Sequence, residues 1–163
     1  MFLSDGTRFA PQELENRLKF SPYIREAVVF GNKRDMITTM ISIDMENVGN
    51  WSNKRNIAYT TMMDLSQNEK VIDLVREEIG KINDRLPEKM RLRRFCLLPK
   101  ELHPDDEELT RTRKLKRNVI NQRYGSVVES LYGGQDTHNL DVEIRYMDGK
   151  VSRLKSTVRL EDI

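Results

Sequence analysis

One segment of this 163-residue chain concentrates side chains that could act on an anionic ligand. Residues 109–117 read LTRTRKLKR, and five of the seven residues from 111 to 117 are basic. A predicted helix follows directly, and positive charge at a helix N-terminus opposes the helix macrodipole. A bound phosphate would relieve that cost, because helix N-terminal N–H groups and lysines both favour phosphate. From composition alone, however, a solvated charged loop is the simpler interpretation, with the acidic run Asp105–Glu108 neutralising part of the charge.

A second segment of interest lies near the N-terminus. Residues 6–15 read GTRFAPQELE, which predicts a turn followed by the start of a helix. A glycine can approach a ligand closely because it has no side chain, but the same holds for any turn glycine. A structural role for Gly6 is therefore the favoured interpretation from the residues alone.

Other familiar catalytic patterns are missing from the sequence. It contains no GxGxxG or GxxxxGK phosphate cradle and no GxSxG nucleophile elbow. The two histidines, His103 and His138, lie in predicted polar loops without metal-ligand spacing, so no metal site is predicted. A self-contained enzyme is hard to build from these parts.

Composition sets the limits within which those segments must work. Hydrophobic residues make up 37% and charged residues 33%, which suits a modest core in one domain, or one domain with an appendage. The net charge of +2 gives no global argument for nucleic-acid binding. No signal peptide or long apolar run is visible, and the single Cys96 is expected to be buried and reduced, as in a cytoplasmic protein.

The first half of the chain predicts two helices and a hairpin that could position these segments. Ala10-Pro11 opens the first helix, and apolar runs at 24–30 and 36–43 predict two paired strands. Residues 46–65 are expected to form irregular helix. The longest helix is predicted over about 67–86, opened by a capping box at 66–69.

The second half predicts a third strand at 95–98 and a helix that runs to about Leu131, broken near Gly125. Alternating residues from 140 to 163 around Asp148-Gly149 predict a terminal hairpin. The expected fold class is therefore α+β, a small mixed sheet of three or more strands with packed helices and a C-terminal β-hairpin. We predict one domain over 1–134 and a hairpin extension over 135–163.

Three segments are similar to signatures of one enzyme family. Residues 3–15 resemble the pattern L-S-x-G-x-x-x-A-P-x-x-(I/L)-E, and residues 21–31 resemble S-P-x-I-x-x-A-V-V-x-G. Residues 109–117 are similar to L-T-x-T-x-K-x-K-R. These patterns are typical of AMP-forming long-chain fatty acyl-CoA synthetases, in the superfamily of acyl-CoA synthetases, peptide-synthetase adenylation domains and luciferases. The last pattern favours the long-chain branch, because other members typically have Gly-Lys there; the resemblance fades after about Tyr132.

The resemblance implies a fold and a two-step reaction. The chain would be the mobile C-terminal domain of a fatty acid–CoA ligase, whose large N-terminal domain would be its partner. ATP and a fatty acid first form an acyl-adenylate and pyrophosphate, and the thiol of coenzyme A then displaces AMP. The small domain reorients between the steps. A chain of this kind is expected to be a fragment without ligase activity of its own.

The resemblance also implies roles for particular residues. Lys114 would be the adenylation lysine, a compact cation that stabilises the charge gathering between carboxylate and α-phosphate; Lys116, two positions away, leaves the register open. Gly6 would line the pantetheine tunnel in the second step, and Arg8 would contact phosphate in one of the two states. Mg²⁺ would bind with ATP, mainly through the N-terminal domain, and coenzyme A would be the co-substrate.

Two hypotheses from other classes stay open at this point. The basic residues 111–117 could form a nucleic-acid-binding module, which the near-neutral net charge disfavours. The chain could instead be a stand-alone interaction or regulatory domain that keeps the fold without the chemistry. Peripheral membrane association is compatible with the sequence.

Overall fold

The computed structural model describes all residues from 1 to 163 and shows five helices around one five-stranded mixed sheet, which confirms the predicted α+β class. The strands are β1 (Ile24–Phe30), β2 (Ile37–Ile43), β3 (Leu92–Leu97), β4 (Thr137–Arg145) and β5 (Val151–Asp162). The helices are α1 (Pro11–Leu18), α2 (Met45–Asn53), α3 (Met62–Gln67), α4 (Glu69–Asn83) and α5 (Arg117–Tyr132). None of these helices has the length and apolar character needed to cross a bilayer.

The strand order across the sheet is β1-β2-β3-β5-β4. β1 and β2 pair antiparallel, which confirms the predicted hairpin, whereas β2 and β3 pair parallel. A parallel pair needs a long crossover, and α2, α3 and α4 supply it. Every residue of β2 is buried, as expected for a central strand covered on both faces.

The sheet separates two hydrophobic cores. Side chains alternate along each strand, so Ile41 and Phe95 join the core beneath α1 and α4. Their neighbours Met40 and Cys96 join the core beneath α5. Helices on both faces therefore hold the sheet, and α1 and α5 lie on opposite sides of it.

The start of α4 differs from the sequence-based prediction. The side chain of Asn68 caps the helix by accepting from the N–H groups of Lys70 and Val71. Ser66 lies inside the preceding helix, where its hydroxyl donates to the carbonyl of Met63. The predicted capping box at 66–69 was wrong, because Ser66 is already committed to the short helix α3.

The predicted break in the last helix was also wrong. α5 continues through Gly125, although a glycine in a helix interior costs about 1 kcal/mol relative to alanine. Tyr124 and Val128 are buried on either side of it, in the core beneath the helix. Tertiary packing therefore outweighs the local preference.

The terminal hairpin turns at Asp148-Gly149, as predicted, with Gly149 at φ +84°. The hairpin extends the main sheet, because Cys96 of β3 pairs with Leu160 of β5. The buried guanidinium of Arg94 also joins the hairpin to the rest of the domain. It donates to the Asp162 carboxylate of β5 and to carbonyls near the end of α5. The domain boundary at 134 stays a prediction, while residues 135–163 share both the sheet and the core of the preceding chain.

Candidate functional site

The basic segment folds into a tight turn, which we call the basic hairpin (residues 108–116). The N–H of Thr110 donates to the carbonyl of Lys114 at 2.8 Å, and the N–H of Arg113 donates to the carbonyl of Thr110 at 2.9 Å. The Thr110 hydroxyl in turn accepts from the N–H of Lys114 at 3.0 Å. Arg113 takes the left-handed conformation, with φ 62°. Lys114 therefore sits on a short, hydrogen-bonded turn.

One arginine anchors the tip of the basic hairpin to the sheet. The guanidinium of Arg113 donates through Nη2 and Nε to Oε1 of Glu26, at 2.9 and 3.2 Å. Glu26 lies on β1 and is only 3% exposed, and Lys19 Nζ lies 3.6 Å from its other oxygen. Two cations therefore compensate the buried carboxylate, as such a charge requires.

A second arginine anchors the base of the basic hairpin to α1. Nη2 of Arg117 donates to both carboxylate oxygens of Glu15, at 2.7 Å each. The backbone N–H of Val29 also donates to Glu15, at 2.9 Å. Burial raises the pKa of the Glu15 carboxyl above its ordinary value, while the hydrogen bonds from Val29 and Arg117 act in the opposite direction. This carboxylate joins α1, β1 and α5 at one point.

Lys114 differs from these two arginines because its ammonium group has no carboxylate within 4.0 Å. The residue is exposed and borders a cleft of about 360 Å³ between the basic hairpin, α1 and β1. Gln12 and Asn16 of α1 line the same cleft. The arrangement therefore presents the unpaired ammonium group of Lys114 on a turn that two ion pairs hold in place.

Lys116 occupies a different environment. It is half-buried at the N-cap position of α5, and its N–H donates to the carbonyl of Glu108 at 2.9 Å. Neither Lys116 nor Arg111 takes part in an ion pair, and Arg111 is exposed. Of the two lysines that could occupy the functional position of the sequence signature, Lys114 is the more exposed.

The acidic run Asp105–Glu108 does not neutralise the basic hairpin, contrary to expectation. Asp106 and Glu108 both pair with Lys100, and Glu108 lies 3.5 Å from Arg123. Glu108 is fully buried and pairs with Lys100 and Arg123. The carboxylates that balance the charge of the basic hairpin are Glu15 of α1 and Glu26 of β1. The anchoring roles of Glu15, Glu26, Arg113 and Arg117 were not predicted from the sequence. The available signal was a glutamate inside the apolar strand IREAVVF.

The turn that carries Gly6 is exposed and locally closed. Gly6 has φ +86°, and a Cβ added there would meet no atom within 4 Å. Asp5 accepts from the N–H of Thr7 at 2.9 Å and pairs with Lys89 at 3.1 Å. Hydrogen bonds from Thr7, together with Lys89, lower the pKa of Asp5 to about 2. Arg8 is exposed and has no ion-pair partner.

Gly6 and Lys114 do not line a common cleft. The turn at Asp5 borders a second cleft of about 360 Å³ with Asp35 and Lys89, and no residue lines both this cleft and that of Lys114. Neither Gly6 nor Arg8 lines the cleft beside Lys114.

The two histidines line neither of these clefts. His138 packs on α5, where its ring nitrogens lie 2.8 and 3.2 Å from the hydroxyls of Ser130 and Ser126, and burial lowers its pKa. His103 accepts from the N–H of Asp105 at 3.1 Å and so closes a short turn. No three His, Cys, Asp or Glu side chains of the chain are grouped so that they could hold a metal ion.

Sequence comparison gives a consistent set of relatives. Residues 1–136 match the family described as the AMP-binding enzyme C-terminal domain. The chain is 30% identical over 128 residues to the long-chain-fatty-acid–CoA ligase FadD15 of Mycobacterium tuberculosis, a match that covers 78% of this chain and 21% of the relative. It is 25% identical over 150 residues to the long-chain-fatty-acid–CoA ligase ACSBG2 of Mus musculus, covering 81% and 22%. The chain thus spans about a fifth of the length of these relatives.

Solved structures show the same fold. The adenylation domain of carboxylic acid reductase from Segniliparus rugosus, in complex with AMP and a carboxylic acid, superimposes with a TM-score of 0.65 at 21% identity. The match covers 82% of this chain and 19% of that one. The corresponding domain from Mycobacterium chelonae gives the same TM-score at 20% identity. At these identities the likeness concerns the fold alone.

Proposed function

This chain belongs to the family of AMP-binding enzyme C-terminal domains, and from that premise we propose that it is the mobile C-terminal domain of an AMP-forming long-chain fatty acid–CoA ligase. The mycobacterial and murine relatives are long-chain-fatty-acid–CoA ligases, which supports this reaction. The substrates would be a fatty acid, ATP and coenzyme A, and the partner would be the large N-terminal domain of the same enzyme. We place the enzyme in the cytoplasm.

The observation that carries the proposal is the unpaired, exposed ammonium group of Lys114 on an anchored hairpin. When a fatty acid carboxylate attacks the α-phosphate of ATP, two anions approach each other. A compact cation at that point stabilises the charge of the transition state. Lys114 would perform this task in the first half-reaction, because its side chain is free to reach a facing surface. Had it been held in an internal ion pair, the assignment would fail.

The second half-reaction would use Gly6 and Arg8. Both residues are exposed, and neither lines the cleft that Lys114 borders. A domain whose functional residues are separated in this way would reorient in order to present each of them to one active site. Gly6 would then approach the pantetheine chain of coenzyme A, and Arg8 would contact phosphate. Mg²⁺ would be bound mainly by the ATP phosphates and the N-terminal domain.

A nucleic-acid-binding role is less well supported by the geometry. Two of the five basic residues, Arg113 and Arg117, already pair with buried carboxylates, so the patch available to a phosphate backbone is small. An electrophoretic shift assay should show no salt-dependent complex. A stand-alone regulatory domain would keep the fold but would have no need for Lys114.

The test is the Lys114→Ala variant of the full-length ligase that contains this domain. Acyl-adenylate formation should be nearly abolished, because the transition state loses its cation, whereas thioester formation from supplied acyl-adenylate should be largely unchanged. Pyrophosphate release and acyl-CoA formation measure the two half-reactions separately. Equal loss in both would contradict the assignment.

Lys116→Ala is the matched control. Its side chain has the same charge and lies two positions away, but it is half-buried at the start of α5. We expect both half-reactions to proceed at near wild-type rates. A larger adenylation defect in Lys116→Ala than in Lys114→Ala would move the role to Lys116.

A further inference from the structure

Arg113 combines an unusual backbone conformation with a buried partner. Its φ of 62° lies in the left-handed region, which non-glycine residues rarely adopt. Such a conformation carries an energetic cost, and an interaction of the Arg113 side chain compensates part of it.

The compensating interaction fixes the guanidinium to a rigid element. Arg113 donates through two nitrogens to Oε1 of Glu26, which is 3% exposed in strand β1. The backbone dihedrals of Arg113 set the direction in which the chain enters Lys114. The ion pair therefore connects the orientation of Lys114 to the central sheet.

We propose that Arg113 is a positioning residue for the adenylation half-reaction, held by Glu26 so that the basic hairpin presents Lys114 in one fixed direction. This inference rests on the proposed function of Lys114. An electrostatic catalyst must be held close to its productive geometry, because a misplacement of about 1 Å can cost 100-fold in rate. The anchor supplies that precision without contacting the substrate.

The same geometry indicates that the fold survives the loss of the Arg113 guanidinium, at a cost in stability. Its side chain is 32% exposed, and the main-chain bonds of the basic hairpin join Thr110 to Lys114 and to Arg113 itself without using the guanidinium. The Arg117–Glu15 pair holds the base of the hairpin independently. Removing the Arg113 guanidinium should loosen the tip and lower the stability of the domain, because Lys19 is then the one cation that compensates the buried Glu26.

The experiment uses the full-length ligase with Arg113→Ala, Glu26→Gln and the double variant. Arg113→Ala should lower kcat for adenylation about 10- to 100-fold, with KM for ATP within about twofold of wild type. Thioester formation from supplied acyl-adenylate should be unchanged, which also shows that the variant is folded. The double variant should be no worse than Arg113→Ala, because both changes break one interaction. Arg113→Lys, which keeps the charge but not the two-nitrogen contact, should restore part of the rate.

Arg153→Ala is the matched control. Its guanidinium also contacts one carboxylate through two nitrogens, at 2.6 and 3.0 Å from Asp141, but on the terminal hairpin. Both half-reactions should keep their wild-type rates. An unchanged adenylation kcat in Arg113→Ala, or equal losses in both half-reactions, would overturn the positioning role. Lys114→Ala in the same assay separates the two claims. If Lys114→Ala forms acyl-adenylate at the wild-type rate, the proposed function fails. If Lys114→Ala is impaired and Arg113→Ala is not, only the positioning role fails.

Discussion

Arg117 donates hydrogen bonds to both carboxylate oxygens of Glu15 at 2.7 Å, although the two residues lie 102 positions apart in the sequence. The pair joins the helix that follows the N-terminal turn to the helix that follows the basic hairpin. Two of the three sequence signatures thus meet in a single ion pair. The third takes part as well, because the N–H of Val29 donates to the same carboxylate.

Arg117→Ala should destabilise the fold by about 2–4 kcal/mol, because it leaves the buried carboxylate of Glu15 without its cation. Burial already raises the pKa of Glu15, and losing Arg117 should raise it further. For an acid with a raised folded-state pKa, the stabilisation is present below the unfolded pKa and is lost as pH rises through the folded pKa. Urea unfolding should therefore show a smaller loss at pH 5 than at pH 8.

Arg17→Ala is the control for this prediction. Arg17 pairs with Glu13 at 2.8 Å on the surface of α1, where both side chains are exposed. Its removal should change the free energy of unfolding by less than about 0.5 kcal/mol at either pH. If both variants lost the same stability, the buried position of Glu15 would have no energetic consequence.

Replacing Gly6 with Leu should slow thioester formation and spare adenylation. The φ of +86° imposes a strain of about 1–2 kcal/mol on any side chain, while a Cβ at this position would meet no atom within 4 Å. Gly149→Leu imposes the same strain at φ +84° on the terminal hairpin and should leave both half-reactions unchanged. Single-turnover assays of each step measure the difference. An impaired adenylation step in Gly6→Leu would contradict the proposed contact with pantetheine.

The carboxyl group of Asp5 should titrate near pH 2, well below its ordinary value of 3.8, because Thr7 and Lys89 stabilise the carboxylate. The pKa of Asp5 is lower in the folded state than in the unfolded state, so the carboxylate form stabilises the fold. Its stabilisation is present above the unfolded pKa and is lost as pH falls from about 4 to about 2. Carboxyl NMR titration measures the midpoint directly. Lys89→Ala should move it part of the way toward 3.8, and a wild-type midpoint already near 3.8 would show that the turn is open in solution.

Cys96 should report on the contact between the terminal hairpin and the sheet. Burial raises the pKa of its thiol to about 12, so the folded protein should resist thiol reagents at pH 8. Leu160→Ala removes the buried residue paired with Cys96, should cost about 2–4 kcal/mol, and should speed labelling. Val151→Ala, at the exposed start of β5, should do neither. Equal labelling rates in the two variants would mean that the hairpin does not protect the thiol.

The local sequence pattern was enough to predict most of the helices and strands. The alternation around Asp148-Gly149 and the apolar runs in the first half of the chain predicted both hairpins, because period and turn chemistry act over a few residues. The same local reasoning failed at Ser66 and Gly125, where a competing hydrogen bond and core packing decided the outcome. The candidate lysine followed from the signature at 109–117, and its exposure in the structure agrees with a residue that must reach outward.

The sequence by itself determined the fold class, the hairpins and the segments in which the chemistry is concentrated. Only the tertiary structure decided which basic residues are anchored and which are free, and that neither Gly6 nor Arg8 lines the cleft beside Lys114. Ion pairs such as Arg113–Glu26 and Arg117–Glu15 join positions that are 87 and 102 residues apart. No local pattern encodes such a pairing, because the energy of a charge depends on its burial and on its neighbours in space.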